Sequence, residues 1–247
     1  MTLITLAMAL ACTDKGTADS GGPVVIDDTG TTETVGPCGP WTAFWQVDAK
    51  WSWQIDEAYT KETEISGAWL AEVDKTETFQ GVKVYVYRED ISLNVPGHER
   101  WDDQFEYRFI CNEDGVSLLQ WEGLYDHSTA TRDDQAFWSA QFDEAQLLWP
   151  YDIAVGDTWG FDQSFNLSTS GGETTRPLTV TMAAVDETTV TVPAGSFDVL
   201  KIESMWSSDP RHAYEEWSTT SYIARNVGEV KIDGYANLTS WEPGQQQ

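Results

Sequence analysis

The sequence predicts a mainly β protein, an antiparallel sheet forming a half-barrel, barrel or sandwich of about ten strands, with room for one short helix. Three observations predict it. From Trp41 onward, short runs rich in Val, Thr, Tyr, Phe and Trp alternate with polar positions, the two-residue period of strands buried on one face. The connections between these runs are short, which suits antiparallel neighbours. Finally, 13 Trp, 9 Tyr and 9 Phe in 247 residues supply enough apolar surface for a substantial core.

The chain opens with residues 1–11, MTLITLAMALA, an uncharged apolar run. It is too short to cross about 30 Å of hydrocarbon as a helix, and it reads as a signal segment. Ala9-Leu10-Ala11-Cys12 resembles the lipobox of bacterial lipoproteins. That resemblance implies cleavage before Cys12, lipidation of its thiol, and a membrane partner reached through the lipid anchor. Each buried methylene contributes about 0.8 kcal/mol, so three acyl chains hold where one holds only marginally. The stretch that follows the cysteine, to residue 37, is rich in Thr, Asp, Gly and Ser and lacks aromatic residues. It cannot offset its own ordering entropy, so residues 12–37 read as a lipidated cysteine on a disordered tether. The expected organisation continues with a single β-rich domain over residues 38–243 and a disordered tail over 244–247. In an oxidising compartment Cys38 and Cys111 are candidates for a disulfide worth about 4 kcal/mol in the chain-entropy model; two separate buried thiols are the alternative.

The strands follow in order. Val82 to Tyr87 is the clearest run, with its valines on one face; Phe105 to Cys111, Val116 to Trp121 and Trp159 to Leu167 read the same way. So do Leu178 to Val185, Thr188 to Val192, Val199 to Trp206, Tyr214 to Ile223, Val227 to Ile232 and Ala236 to Trp241. One stretch disagrees. Trp138, Phe142, Ala145 and Trp149 recur at helical spacing between Asp133-Asp134 and Pro150, so residues 133–149 are the expected helix. Pro193 presets a turn after Val192, and Gly195 relieves its far side before Phe197 starts the return strand.

Val192-Pro193-Ala194-Gly195-Ser196-Phe197, followed by Tyr222 to Lys231 with its Val227-Gly228-Glu229-Val230-Lys231 core, resembles a signature of uncharacterised bacterial envelope lipoproteins. Val155-Gly156-Asp157-Thr158-Trp159 resembles the strand opening of the same family. The resemblance covers about residues 105 to 240 and implies a fold distantly similar to the half-barrel lipoprotein carriers; on chemistry it is silent. The Trp-rich beginning, Trp41 to Trp53, has no counterpart in the pattern.

Fourteen Lys and Arg against 41 Asp and Glu give a net charge of -27. A surface that acidic repels nucleic acid, which needs a basic patch to release counterions. No acidic calcium loop of the EF-hand type is present, and His98, His127 and His212 stand far apart without metal-ligand spacing, so no metal site is expected. No nucleophile elbow, phosphate loop or dinucleotide fingerprint occurs, so no cofactor and no catalytic residue is predicted. Adjacent acids such as Asp102-Asp103 and Glu215-Glu216 would point to opposite strand faces and read as solvated surface.

The tryptophans are the compositional excess. Trp41, Trp45, Trp51 and Trp53 are the candidate ligand-binding residues, as an apolar cavity wall or as a platform for sugar rings; filling a β core is the plainer alternative. The expectation is a non-catalytic lipoprotein of the bacterial envelope, on the outer membrane at its periplasmic or surface face, binding an apolar ligand or an envelope partner. A carbohydrate-binding module and a hydrolase with paired carboxylates are the alternatives.

Overall fold

The computed structural model describes residues 24–26, 32–55, 64–208 and 216–245. The segment read as a signal, residues 1–11, and Cys12 lie outside them. Within the stretch read as a tether, β1 (Val24–Ile26) pairs antiparallel with β2 (Thr32–Thr34).

The remaining strands are β3 (Lys50–Ile55), β4 (Ser66–Phe79), β5 (Val82–Asn94), β6 (Asp102–Asn112), β7 (Gly115–Asp126) and β8 (Gln135–Pro150). They continue with β9 (Thr158–Thr169), β10 (Gly172–Val192), β11 (Gly195–Ser208), β12 (Glu216–Ala224), β13 (Gly228–Ile232) and β14 (Ala236–Glu242). Each pairs antiparallel with the next, and β14 returns to β3, so the sheet closes as a barrel. Of the three architectures the sequence allowed, the closed barrel is the one formed.

Alternation decides which side chains enter the barrel. On β6, Asp103, Phe105, Tyr107 and Phe109 are buried, while Gln104 is exposed and Glu106 and Arg108 are half-buried. On the outer face Arg108 pairs with Glu77 at 2.8 Å and with Glu106 at 2.8 Å, and Arg88 pairs with Glu106 at 3.1 Å. Partly solvated pairs of this kind contribute modestly and fix register more than they stabilise. On β5 the tyrosines Tyr85 and Tyr87 join the main core. β10 unites two predicted strands, because a bulge between Ala184 and Asp186 lets one long strand bend without breaking its pairing with β11.

The expected helix over residues 133–149 is instead β8. Trp138 and Phe142 are four residues apart, an even spacing that also places both on one face of a strand. Ala145 and Trp149 would then fall on the other face of a regular strand. Irregularities correct this: Gln120 opposes Gln141 but Leu118 opposes Gln146, and Val116 opposes Trp149 while Ser117 opposes Leu147. The extra residues reset the phase, and the resulting pattern imitates a helical period.

One mouth of the barrel is closed by residues 35–49. Cys38 is bonded to Cys111 at the end of β6, at a sequence separation of 73 and a Cα–Cα distance of 4.9 Å. Gly39 takes φ of 100° and approaches the Tyr151 carbonyl so closely that a Cβ would collide with it. Across the mouth, Asn226 N–H donates to Pro40 O at 2.6 Å, and Trp51 Nε1–H donates to Val227 O at 2.7 Å. The segment therefore touches the connections on opposite sides of this end. Its apolar residues enter the core: Phe44 packs against Tyr87 and Phe109, and the Arg225 guanidinium sits 4.2 Å from the Trp41 ring.

Candidate functional site

A cavity of ≈ 960 Å³ runs along β9–β13 and the turn after β13. Its lining comes from Thr158–Asp162, Thr179–Ala183, Glu203–Met205, Ser218–Thr220 and Ile232–Tyr235. The strand geometry explains the composition. Trp159 opposes Met182 and Phe161 opposes Val180, which stacks apolar side chains across the β9–β10 ladder. Met205 remains exposed on the neighbouring strand. Threonines and serines supply scattered hydroxyls, and the Ser204 and Thr219 hydroxyls satisfy one another at 2.7 Å.

The carboxylates at the cavity are largely engaged. Asp162 Oδ1 accepts from Thr179 Oγ1 at 3.1 Å, Glu203 pairs with Lys201 at 3.0 Å, and Asp233 pairs with Lys231 at 2.7 Å. A space of this size with apolar walls and few convergent polar groups suits an apolar ligand rather than a reaction. A smaller cavity of ≈ 370 Å³ lies on β5–β8, where Arg88, Asp90, Glu106 and Glu122 surround the exposed Leu124 and Phe137.

Two further groupings were not anticipated. Inside the barrel, Tyr107 donates its hydroxyl to Glu89 Oε2 at 3.0 Å. Burial pushes the Glu89 carboxyl up to about 8, with the Tyr107 bond opposing and the Glu229 charge adding to the rise. Glu229 is pushed up to about 7, again by burial, with Ser221 opposing. Its Oε2 has no hydrogen-bond partner among the described residues. Both acids are buried and neither lines the large cavity, while Glu89 borders the smaller one. The tyrosines Tyr87 and Tyr107 are raised well above their ordinary range by burial and then by Glu89.

At the rim away from the disulfide, the connection before β6 is fastened to the connection after β7. His127 Nε2 lies 2.7 Å from Asp103 Oδ1, and Trp101 Nε1–H donates to Asp103 Oδ2 at 3.3 Å. The His127 ring stacks between Trp101 at 3.7 Å and Tyr125 at 4.7 Å. His98 Nδ1 meets His127 O at 2.9 Å, and Glu99 N–H donates to Ser128 O at 2.9 Å. Two histidines that the sequence separates are thus neighbours, and His212 lies outside the described residues. Among the described residues no group of three or more His, Cys, Asp or Glu is placed to hold a metal ion.

The four candidate tryptophans sit in the core. Trp41 is 5% exposed, Trp45 4%, Trp51 3% and Trp53 4%, and none lines the large cavity. Trp51 and Trp53 share a face of β3 as expected, opposing Ala71 and Trp69 on β4. The Trp53 and Trp69 rings lie 4.7 Å apart, and Trp45 Nε1–H donates to Thr42 O at 3.2 Å. With their faces covered, these rings are not a surface platform. The residues that do line the cavity carried only a strand signal in the sequence.

A family model described as DUF3108-like matches residues 52–240. The match starts inside β3, so the closing segment 35–49 and Cys38 precede it, whereas Cys111 falls within it. Among solved structures, a provisionally assigned lipoprotein from Parabacteroides distasonis ATCC 8503 is similar at 12% identity, over 85% of this chain and 100% of that chain, with a TM-score of 0.41. No curated protein matches the chain significantly.

Proposed function

The chain belongs to the DUF3108-like family, and from that premise we propose that it is a non-catalytic lipoprotein of the bacterial envelope whose barrel takes up an apolar ligand along β9–β13. The cavity of ≈ 960 Å³ with Trp159, Phe161, Val180, Met182 and Ile232 in its lining is the observation that carries the ligand reading. It exceeds the roughly 300 Å³ at which small-molecule sites begin.

The address rests on separate support. Ala9-Leu10-Ala11-Cys12 supplies a lipidation site. The Cys38–Cys111 bond suits an oxidising compartment outside the cytoplasm. A net charge of -27 keeps the body of the protein away from anionic headgroups, so contact with a membrane is left to the anchor.

Mass spectrometry of the native protein extracted from membranes tests both parts. The expected spectrum shows an acylated Cys12 amino terminus and a co-purified apolar molecule. A Thr219→Trp change, at a half-buried lining position on the face that Ser204 and Met182 share, fills the cavity and removes the co-purified molecule while the chain still unfolds in one cooperative transition. Unaltered co-purification in that variant moves the ligand elsewhere, and an unmodified Cys12 in membrane-extracted protein refutes the anchor.

A further inference from the structure

The seam between β8 and β9 is unlike its neighbours. β9 pairs with β10 along its whole length, from Thr158 to Thr169. With β8 it pairs only where Phe165–Thr169 faces Trp138–Phe142. Beyond Phe142, β8 acquires the extra residues that set Gln141 opposite Gln120 but Gln146 opposite Leu118, and this bends it away from β9. The strands meet again only through the connection over residues 151–157. Between 143–149 and 158–164 the wall is therefore an unladdered window, closed at both ends.

One side chain spans that window. Trp159 Nε1–H donates to Leu148 O at 2.8 Å, and the Trp159 ring lies 6.4 Å from that of Trp149. Trp159 also lines the large cavity, as do its neighbours from Thr158 to Asp162. The window thus borders the cavity, and the residue bridging the one is part of the wall of the other. Backbone groups along an unladdered stretch gain little from staying closed, so such a seam opens locally at low cost.

We propose that this window is the side portal by which an elongated, uncharged apolar molecule reaches the cavity, with Trp159 as its latch. The inference rests on the ligand reading of the cavity and adds the route. Leu148, Trp149, Trp159 and Phe161 give the portal an apolar surface, while Asp143, Glu144 and Asp162 at its border are exposed and repel an anionic head group. Trp159 acts here as a positioning residue: its indole N–H holds β8 against β9 until the seam opens.

The test uses the full chain, its Trp159→Phe variant, and the neutral fluorophore N-phenyl-1-naphthylamine. Phenylalanine keeps an aromatic ring but lacks the N–H. Loss of one such bond shifts the closed–open balance about fivefold. Stopped-flow mixing should show the association rate rising by about that factor, with Kd read separately because Trp159 also belongs to the cavity wall. Hydrogen exchange, which needs no ligand, should quicken by a similar factor at Gln146–Trp149 and remain unchanged across β10–β11. A weakened Kd at an unchanged association rate, or exchange at Gln146–Trp149 equal to that of the wild type, overturns the latch. Quickened exchange in a chain that takes up no fluorophore instead overturns the ligand reading and leaves the mobile seam.

Discussion

Phe44 lies flat on Phe109, with ring centroids 4.9 Å apart and planes within 3° of parallel. Phe44 belongs to the segment closing one mouth of the barrel, and Phe109 to the wall strand that carries Cys111. Two different bonds, one covalent and one of packing, thus fasten the same segment to the same strand.

Their energies should overlap. Replacing Cys38 and Cys111 together by Ser is expected to lower stability by about 4 kcal/mol, and Phe44→Ala by about 3 kcal/mol or more. Because either change frees the closing segment, the combined variant should lose clearly less than the sum. Urea denaturation of the four proteins measures the difference. Strict additivity would mean that the segment stays docked without its disulfide.

The buried acids predict the direction of a pH dependence. Glu89 is held up to about 8 and Glu229 to about 7, against an ordinary value of 4.5, mainly through burial. Over that interval the folded chain binds more protons than the unfolded one, so their contribution is fully present below about 4.5 and is lost as pH rises to about 8. Urea midpoints at pH 5 and pH 9 should show this fall. Glu89→Gln should reduce it, leaving the variant more stable than the wild type at pH 9. A midpoint that rises between those pH values in the wild type and is unaffected by the substitution contradicts the assignment.

Charge should select among apolar ligands. Asp143, Glu144 and Asp162 are exposed near the window, and the whole chain carries -27. A neutral amphiphile is expected to bind several-fold more tightly than an anionic one of equal chain length at low salt, and added salt should narrow the gap. Fluorophore displacement at two ionic strengths compares them. Equal affinities at low salt would remove the electrostatic filter.

The imidazole stack at the opposite rim should act as a fastening. Arg100 and Arg132 lie in the two connections that His127, Trp101 and Asp103 hold together. Trp101→Ala removes the ring that covers His127 and is expected to cost about 3 kcal/mol. Limited trypsin digestion should then cut after Arg100 and Arg132 at least tenfold faster, with cleavage elsewhere affected only through global unfolding. Uniform acceleration at all sites would show that the stack does not act locally.

Strand content was legible because period-two alternation is a local property. Val82 to Tyr87 and Val199 to Trp206 announce themselves without reference to the rest of the chain. β8 was not legible, since bulges against β7 produce the same spacing as a helix, and a bulge depends on a partner strand. The excess of tryptophan between Trp41 and Trp53 was plain, but its use was not. Whether such rings form a platform or fill a mouth depends on Cys111, Tyr151 and Val227, all distant in sequence. The cavity was the least visible feature: Thr158–Asp162 and Thr179–Ala183 look like any other strand until β8 diverges beside them. His98 and His127 were likewise readable only singly, because nothing local indicates that Asp103 and Trp101 will bring them together.

The barrel is sealed where β14 meets β3, with Leu238 opposite Trp53 and Trp241 opposite Trp51. Until those two strands meet, the folding chain carries two sticky flanks at once, each able to zip onto a stranger. Assembly is therefore a race between that closure and self-association, and a chain cut short after Tyr235 should precipitate rather than fold loosely.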